Sequence, residues 1–269
     1  MRFIGFCVLV HFFGVSALTL TGANPPAGSR SAGMAHASVA LTDLWSVHHN
    51  QAGLAFAESL AVGFYHQGGY VREMDHQALV VLVPVFSGAL ATSSTFYGYE
   101  HYQEIKAGIA YGRQLAANLA AGIQLDYFRT RFSGDFQDVD LVTFEAGLHL
   151  RVNDHWSLAT HVFNPLSYEQ SRRNRYLPAV YRMGVLWAPY GQWTMLVEGE
   201  KRSRSAPMLK AALEYELTPC FCLRSGLSLD PLLHCFGLGY AWSSFQADLA
   251  FSFHPLLGRL SNFSLSYVF

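Results

Sequence analysis

The stretch Asn262-Phe263-Ser264-Leu265-Ser266-Tyr267-Val268-Phe269 decides how the rest of the sequence is read. Phe263, Leu265, Tyr267 and Phe269 fall on one face, and Ser264, Ser266 and Val268 on the other, the period-two pattern of a strand. A strand at the edge of a sheet leaves backbone groups unpaired, so this one needs a partner, and the first strand of the same sheet is the simplest. Closure of that kind makes a barrel, and an apolar outward face then asks for lipid.

Composition points the same way. Of 269 residues, 51% are hydrophobic and 14% aromatic, while only 14% are charged, against roughly 25% charged in an ordinary soluble domain. The net charge of -1 gives none of the basic surplus that a phosphate backbone demands, so no nucleic acid is expected as a partner. Arg2, the apolar run Phe3 to Leu20, the small residues Thr21, Gly22 and Ala23, and then Pro25 and Pro26 read as a secretory signal peptide over residues 1–23, with Ala17 as an alternative cut. Beyond it no apolar run reaches the length of a membrane helix. Cys220, Cys222 and Cys235 then remain, an odd number that makes no disulfide framework, and they are expected to be small wall residues.

Residues 24–57 do not alternate and read as a packed N-terminal plug; residues 58–269 alternate throughout. The pattern predicts an all-β, closed antiparallel barrel of about fourteen strands, near Glu58–Gln67, Gln77–Val85, Gly88–Tyr97, Glu104–Arg113, Asn118–Thr130, Asp140–Arg151, His155–Phe163, Ala179–Ala188, Trp193–Lys201, Pro207–Leu217, Phe221–Leu229, His234–Trp242, Phe245–Phe253 and Asn262–Phe269. Short and long connections alternate along the chain, as they do between the periplasmic turns and outer loops of outer-membrane barrels. Faces separate too: Phe236, Leu238, Tyr240 and Trp242 oppose Cys235, Gly237, Gly239 and Ala241. A soluble sandwich would hide the apolar face that this reading gives to lipid.

Inner-face charges Glu198, Glu200, Arg202, Lys210, Glu214, Glu216, Arg224 and Asp248 come from neighbouring strands and are expected to pair across them, tying the wall to the plug or lining a polar path. His48 and His49 sit beside Asn50, but adjacent side chains diverge, so no metal site is expected; Asn50 suits a cap or turn. No nucleophile-elbow motif accompanies the serines and histidines, so neither catalysis nor a cofactor is expected. Arg172, Arg173 and Arg175, with Tyr168 and Tyr176, decorate the longest outer loop.

Two segments carry a family resemblance. Ser31 to Asp43 with Asn50-Gln51-Ala52-Gly53-Leu54-Ala55, and Ala247-Asp248-Leu249-Ala250-Phe251-Ser252-Phe253-His254-Pro255-Leu256-Leu257-Gly258 followed by Phe263-Ser264-Leu265-Ser266, resemble the opening and ending of FadL-like and PorV-like outer-membrane proteins. The resemblance implies a fourteen-stranded Gram-negative outer-membrane barrel whose plug carries Gly33, Met34, Asn50, Gly53 and Leu54, and a terminal assembly signal, Phe263, Leu265, Tyr267 and Phe269, for the barrel-assembly machinery. Gln51 replaces the usual proline and Ala35-His36 replaces a Gly-Gly pair, so a less kinked plug is expected. Members either pass hydrophobic solutes or serve as accessory barrels of type IX secretion; the short outer loops favour the accessory role, docking secretion components, with solute uptake and a purely structural role as alternatives.

Overall fold

The computed structural model describes residues 24–269 except 25, 71, 135–136, 167–168, 171–174 and 204. The expected signal peptide, and Arg172, Arg173 and Tyr168 of the basic loop, lie outside the described residues.

Among the described residues, period-two alternation becomes sixteen strands: β1 Ala61–Gly68, β2 His76–Val85, β3 Gly88–Tyr99, β4 Tyr102–Ala116, β5 Leu119–Phe132, β6 Val139–Arg151, β7 Trp156–Phe163, β8 Glu169–Gln170, β9 Arg175–Tyr176, β10 Val180–Trp187, β11 Trp193–Arg202, β12 Pro207–Thr218, β13 Phe221–Leu229, β14 Leu233–Trp242, β15 Phe245–His254 and β16 Gly258–Val268. Fourteen of them form one closed antiparallel barrel, and β8 and β9 pair with each other in the loop between β7 and β10. The expected barrel is therefore present, with the two-residue hairpin as the one addition to the strand list.

The barrel closes where the terminal strand required it to. β16 pairs with β1 from Ala61↔Val268 to Gly68↔Ser261, and the Phe269 amide donates to the Leu60 carbonyl at 2.9 Å. A closed ladder leaves no edge, which is the condition for strands in hydrocarbon. Along β14 the outward side chains Phe236 and Trp242 are 53% and 67% exposed while inward Cys235 is 1% exposed, so the apolar face is the outer one. Aromatic pairs gather where the strands meet the short turns: Trp156 stacks on Trp187, Trp193 lies against Tyr215, and Tyr267 contacts both Phe245 and Phe269. That is one girdle of the kind that marks a membrane interface.

The wall is uneven at the end opposite those aromatics. β4, β5 and β6 run 15, 14 and 13 residues, whereas β7 and β10 run 8 each. β6 pairs with β7 only over Glu145 to Arg151. Asn164, in a left-handed conformation, bridges the notch above: its amide donates to the Phe144 carbonyl at 3.0 Å, its Nδ2 to the Leu177 carbonyl at 2.7 Å, and its Oδ1 accepts from Thr143 Oγ1 at 2.9 Å.

Candidate functional site

The N-terminal segment occupies the lumen. From Asn24 through helix α1 (Ser29–Gly33), helix α2 (Ser46–His49) and the 3₁₀ turn Gln51–Phe56, most described side chains are buried, although the helices are only five and four residues long. Elements this short are not stable by themselves. Their order comes from the wall around them.

Inward glycines form part of that wall. A Cβ on Gly122 would overlap the Gln51–Ala52 peptide, one on Gly147 would overlap the Asn50 side-chain oxygen, and one on Gly226 would overlap the Met34–Ala35 peptide. Gly33 of the plug meets Gly237 of β14 backbone to backbone, a Cβ there lying 2.8 Å from the Gly237 Cα. Gly53 fits against Leu41 and Ser46 within the plug, with 2.7 Å from its ideal Cβ to the Leu41 carbonyl oxygen. Met34 packs with Ala37, Leu41 and Leu196, and Leu54 with Trp45, Val47 and the wall.

The expected loss of the plug kink does not occur. Ala35 and His36 both take left-handed conformations, with φ of 51° and 57°. Such a conformation costs a non-glycine residue ~1–2 kcal/mol, and local hydrogen bonds offset it. The His36 amide donates to the Ser31 carbonyl at 2.8 Å, its Nδ1 lies 3.1 Å from Ser31 Oγ, and its carbonyl accepts from Lys210 Nζ at 3.1 Å. Gln51, standing where the resembling proteins carry proline, donates from Nε2 to the Val47 carbonyl at 3.0 Å and to Glu145 at 2.8 Å. Asn50 caps the 3₁₀ turn by accepting from the Ala52 amide at 3.2 Å, and its Nδ2 reaches Val39 and, in the wall, Leu148.

Three charged clusters hold the plug to β4–β15. In the first, Glu145 receives Lys106 at 2.5 Å, Gln51 at 2.8 Å, Asn24 at 3.2 Å and His161 Nε2 at 2.8 Å, with Asp126 3.3 Å from Lys106. In the second, Glu198 accepts from the backbone amides of Ser38 and Val39, both at 2.8 Å, and from Lys210 at 3.0 Å, while Glu200 gathers Lys210, Arg182 and Arg202. In the third, plug Arg30 joins Glu214 at 2.6 Å and Asp43 at 3.1 Å, and Arg224 ties Glu214 at 2.5 Å to Asp248 at 2.6 Å. Buried charges need partners of this kind, because an unpaired one costs several kcal/mol. Glu216 keeps the inward register, paired with Cys222, but lies at the end of β12 and stands exposed at the barrel mouth, beside Arg30, Glu214 and Arg224 without an ion pair to them among the described residues. The first cluster, Lys106, Asp126, Glu145 and His161, was not singled out in the sequence, although each residue lies on the inward phase of its strand.

On the other side the turn-side half of the lumen is apolar, while His76, Ser93, Thr95 and Glu104 are the buried inward groups nearer the loop end. Plug residues Ala27, Trp45, Val47 and Leu54 pack against Tyr65, Ala78, Val80, Leu82, Ala89, Ala91 and Ala110 of β1–β4. This seam meets the turn-side mouth at a cavity of about 370 Å³ lined by Leu44, Trp45, Phe56, Leu82 and Val268 among others. Among the described residues, one side of the plug is therefore anchored chiefly by ions and the other chiefly by apolar contact.

His48 borders this seam, fully buried and stacked on Trp45 at 6.3 Å, with no described partner for either ring nitrogen. Burial, reinforced by the Lys106 charge, lowers its pKa from 6.5 to about 3, and burial beside His48 likewise holds His49 neutral. Because the folded-state value lies below the unfolded one, the contribution is complete above about pH 6.5 and is lost progressively as pH falls towards 3. Acidification from pH 7 to pH 4 is accordingly expected to raise protease cleavage of the plug while the barrel stays folded, and His48→Phe to weaken that dependence; equal cleavage at both pH values would refute it. Among the described residues no group of three His, Cys, Asp or Glu side chains converges as a metal site.

No family model matches the sequence, and no curated protein matches it. Solved structures do match in fold. A Pseudomonas aeruginosa FadL homologue aligns with a TM-score of 0.65 at 13% identity over 91% of this chain and 98% of its own. The monoaromatic hydrocarbon channel CymD aligns with a TM-score of 0.67 at 12% identity over 90% and 97%. The P. putida toluene transporter TodX aligns with a TM-score of 0.65 at 13% identity over 90% and 96%. The chain thus has the closed fourteen-stranded barrel fold that these channels share.

Proposed function

We propose that this protein is an outer-membrane channel for neutral hydrophobic small molecules, with its N-terminal segment as the stopper. The observation that carries the reading is the two-sided lumen: every lumenal cation in the three clusters already faces a carboxylate, whereas the seam between plug and β1–β4 is apolar. A solute moving along that seam meets methyl groups and aromatic faces in the turn-side half and the polar groups His76, Ser93, Thr95 and Glu104 nearer the loops, and displaces none of the ion pairs of the three clusters. An anionic solute would find no unpaired cation in those clusters to receive it. The fold likeness to a toluene transporter and a monoaromatic hydrocarbon channel supports the same substrate class. The accessory secretion role favoured from the short loops has no counterpart among these neighbours, so the reading moves to the solute alternative.

Uptake of a labelled monoaromatic hydrocarbon tests this. Cells carrying the protein in the outer membrane are expected to accumulate it faster than cells without the protein. Val80→Asp, which places a carboxylate in the seam, is expected to reduce that gain by about tenfold, since burying an uncompensated charge is costly. Equal uptake with and without the wild-type protein would sink the channel reading.

A further inference from the structure

A second apolar concavity lies on the outer surface of the barrel wall, away from the plug seam. It measures about 790 Å³ and crosses β5 to β12 where the wall is lowest. Its floor is made of small groups, chiefly Ala146, Thr160 and Gly199, and its sides of Leu148, Tyr181 and Met183. Leu148, Tyr181 and Met183 are 48%, 48% and 66% exposed, so the groove opens outwards; neighbouring His161, Arg182 and Glu200 are turned inwards and buried.

The groove runs from Pro165 and Pro207 at the loop end down to Thr160 and Leu148. Five residues at ~3.3 Å each span about 16 Å along the chain, comparable to the hydrocarbon depth of one leaflet. Lys201 stands at the top of it, paired across the ladder with Tyr181 and Pro207, exposed and bonded by Nζ to the Ser205 carbonyl. The adjacent carboxylate, Glu200, points to the lumen and is engaged by Arg182, Arg202 and Lys210. The groove thus combines an apolar trough with a cation at its loop-side end and no opposing outward carboxylate among its lining residues.

We propose that this groove seats one acyl chain of a lipid of the outer leaflet, with the lipid's anionic phosphate paired to Lys201. The site is separate from the solute path and does not depend on it. A single lysine near a membrane surface contributes about 1 kcal/mol, which is roughly fivefold in occupancy. Gly199 offers the complementary handle, since a Cβ there meets only the Met183 carbonyl oxygen at 4.0 Å and a larger side chain projects into the trough rather than the lumen.

Native mass spectrometry of the full-length barrel, released from nanodiscs of phosphatidylcholine doped with a phosphorylated lipid A, measures this directly. Wild-type protein is expected to retain one lipid A, Lys201→Gln to retain roughly fivefold less, and Gly199→Leu to lose it, with all three barrels equally folded by heat-modifiable gel mobility. Retention unaffected by either substitution would overturn the proposal, as would equal retention of phosphatidylcholine and lipid A by the wild type. Loss of hydrocarbon uptake in Gly199→Leu with lipid retention intact would assign the groove to the solute instead. Failure of uptake in the wild type with this lipid pattern preserved would count against the channel reading alone.

Discussion

Gly122→Val combined with Gly147→Val is expected to unseat the plug while leaving the barrel closed. Gly122 and Gly147 face each other across the β5–β6 ladder, and their strand hydrogen bonds run within the wall, so valine satisfies the ladder and suits a strand. Its side chain cannot be accommodated inwards, because the Cβ positions are already occupied by the Gln51–Ala52 peptide and by Asn50. Backbone cannot swing aside as the end of a long side chain can. Overpacking of this kind costs ~1–3 kcal/mol at each site, comparable to what a segment of such short helices can hold. The expected result is protease cleavage of the plug at neutral pH and a several-fold rise in permeability to hydrophobic dyes, with heat-modifiable gel mobility unchanged. A double variant whose plug stays protected would mean that the glycines are not what admits the segment.

Glu145→Ala is the second large effect. The carboxylate is fully buried and receives Lys106, Asn24, Gln51 and His161. Removing it leaves Lys106 to Asp126 and the Asn24 side-chain oxygen and takes one partner from each plug side chain, which places the cost at about 3–5 kcal/mol, the usual penalty for breaking a buried pair. Glu145→Gln keeps two acceptor lone pairs and the shape, so it is expected to be milder. Denaturant titration of the detergent-solubilised barrel, with plug proteolysis as a second readout, separates the two. Equal stability of the alanine variant and wild type would show that wall and plug are joined mainly through the Glu198 and Glu214 clusters.

The two predictions concern residues that differ in how visible they are beforehand. The charges Glu198, Glu200, Lys210, Glu214, Arg224 and Asp248 could be placed on the inner face from alternation alone, because a strand sends every second side chain to one side. Lys106, Asp126, Glu145 and His161 obey the same rule and carried the same signal. What alternation does not contain is which of them meet, since that depends on the stagger between strands. Glu216 illustrates the limit: it keeps the inward phase, yet its place at the end of β12 leaves it exposed at the mouth.

The plug was harder still. Asn24 reaches Glu145 across 121 residues of chain and Ser29 reaches Ser264 across 235, and no local pattern encodes such pairs. Gln51 was noted only as a departure from proline, yet its amide is one of the links between plug and wall. The left-handed Ala35 and His36 likewise contradict local preference and exist because Ser31 and Lys210 hold them.

By itself the sequence determined that this chain is a barrel, which strands compose it, and that β16 must find β1, because side-chain alternation, turn spacing and the need to satisfy strand edges are all local or nearly local demands. Only the tertiary structure decided how the plug seats, that its contacts are ionic towards β4–β15 and apolar in the turn-side half of β1–β4, and that a groove opens on the outer face. Those properties arise from strand stagger and from close approach of backbones at glycine, which bring together residues that the linear order keeps far apart.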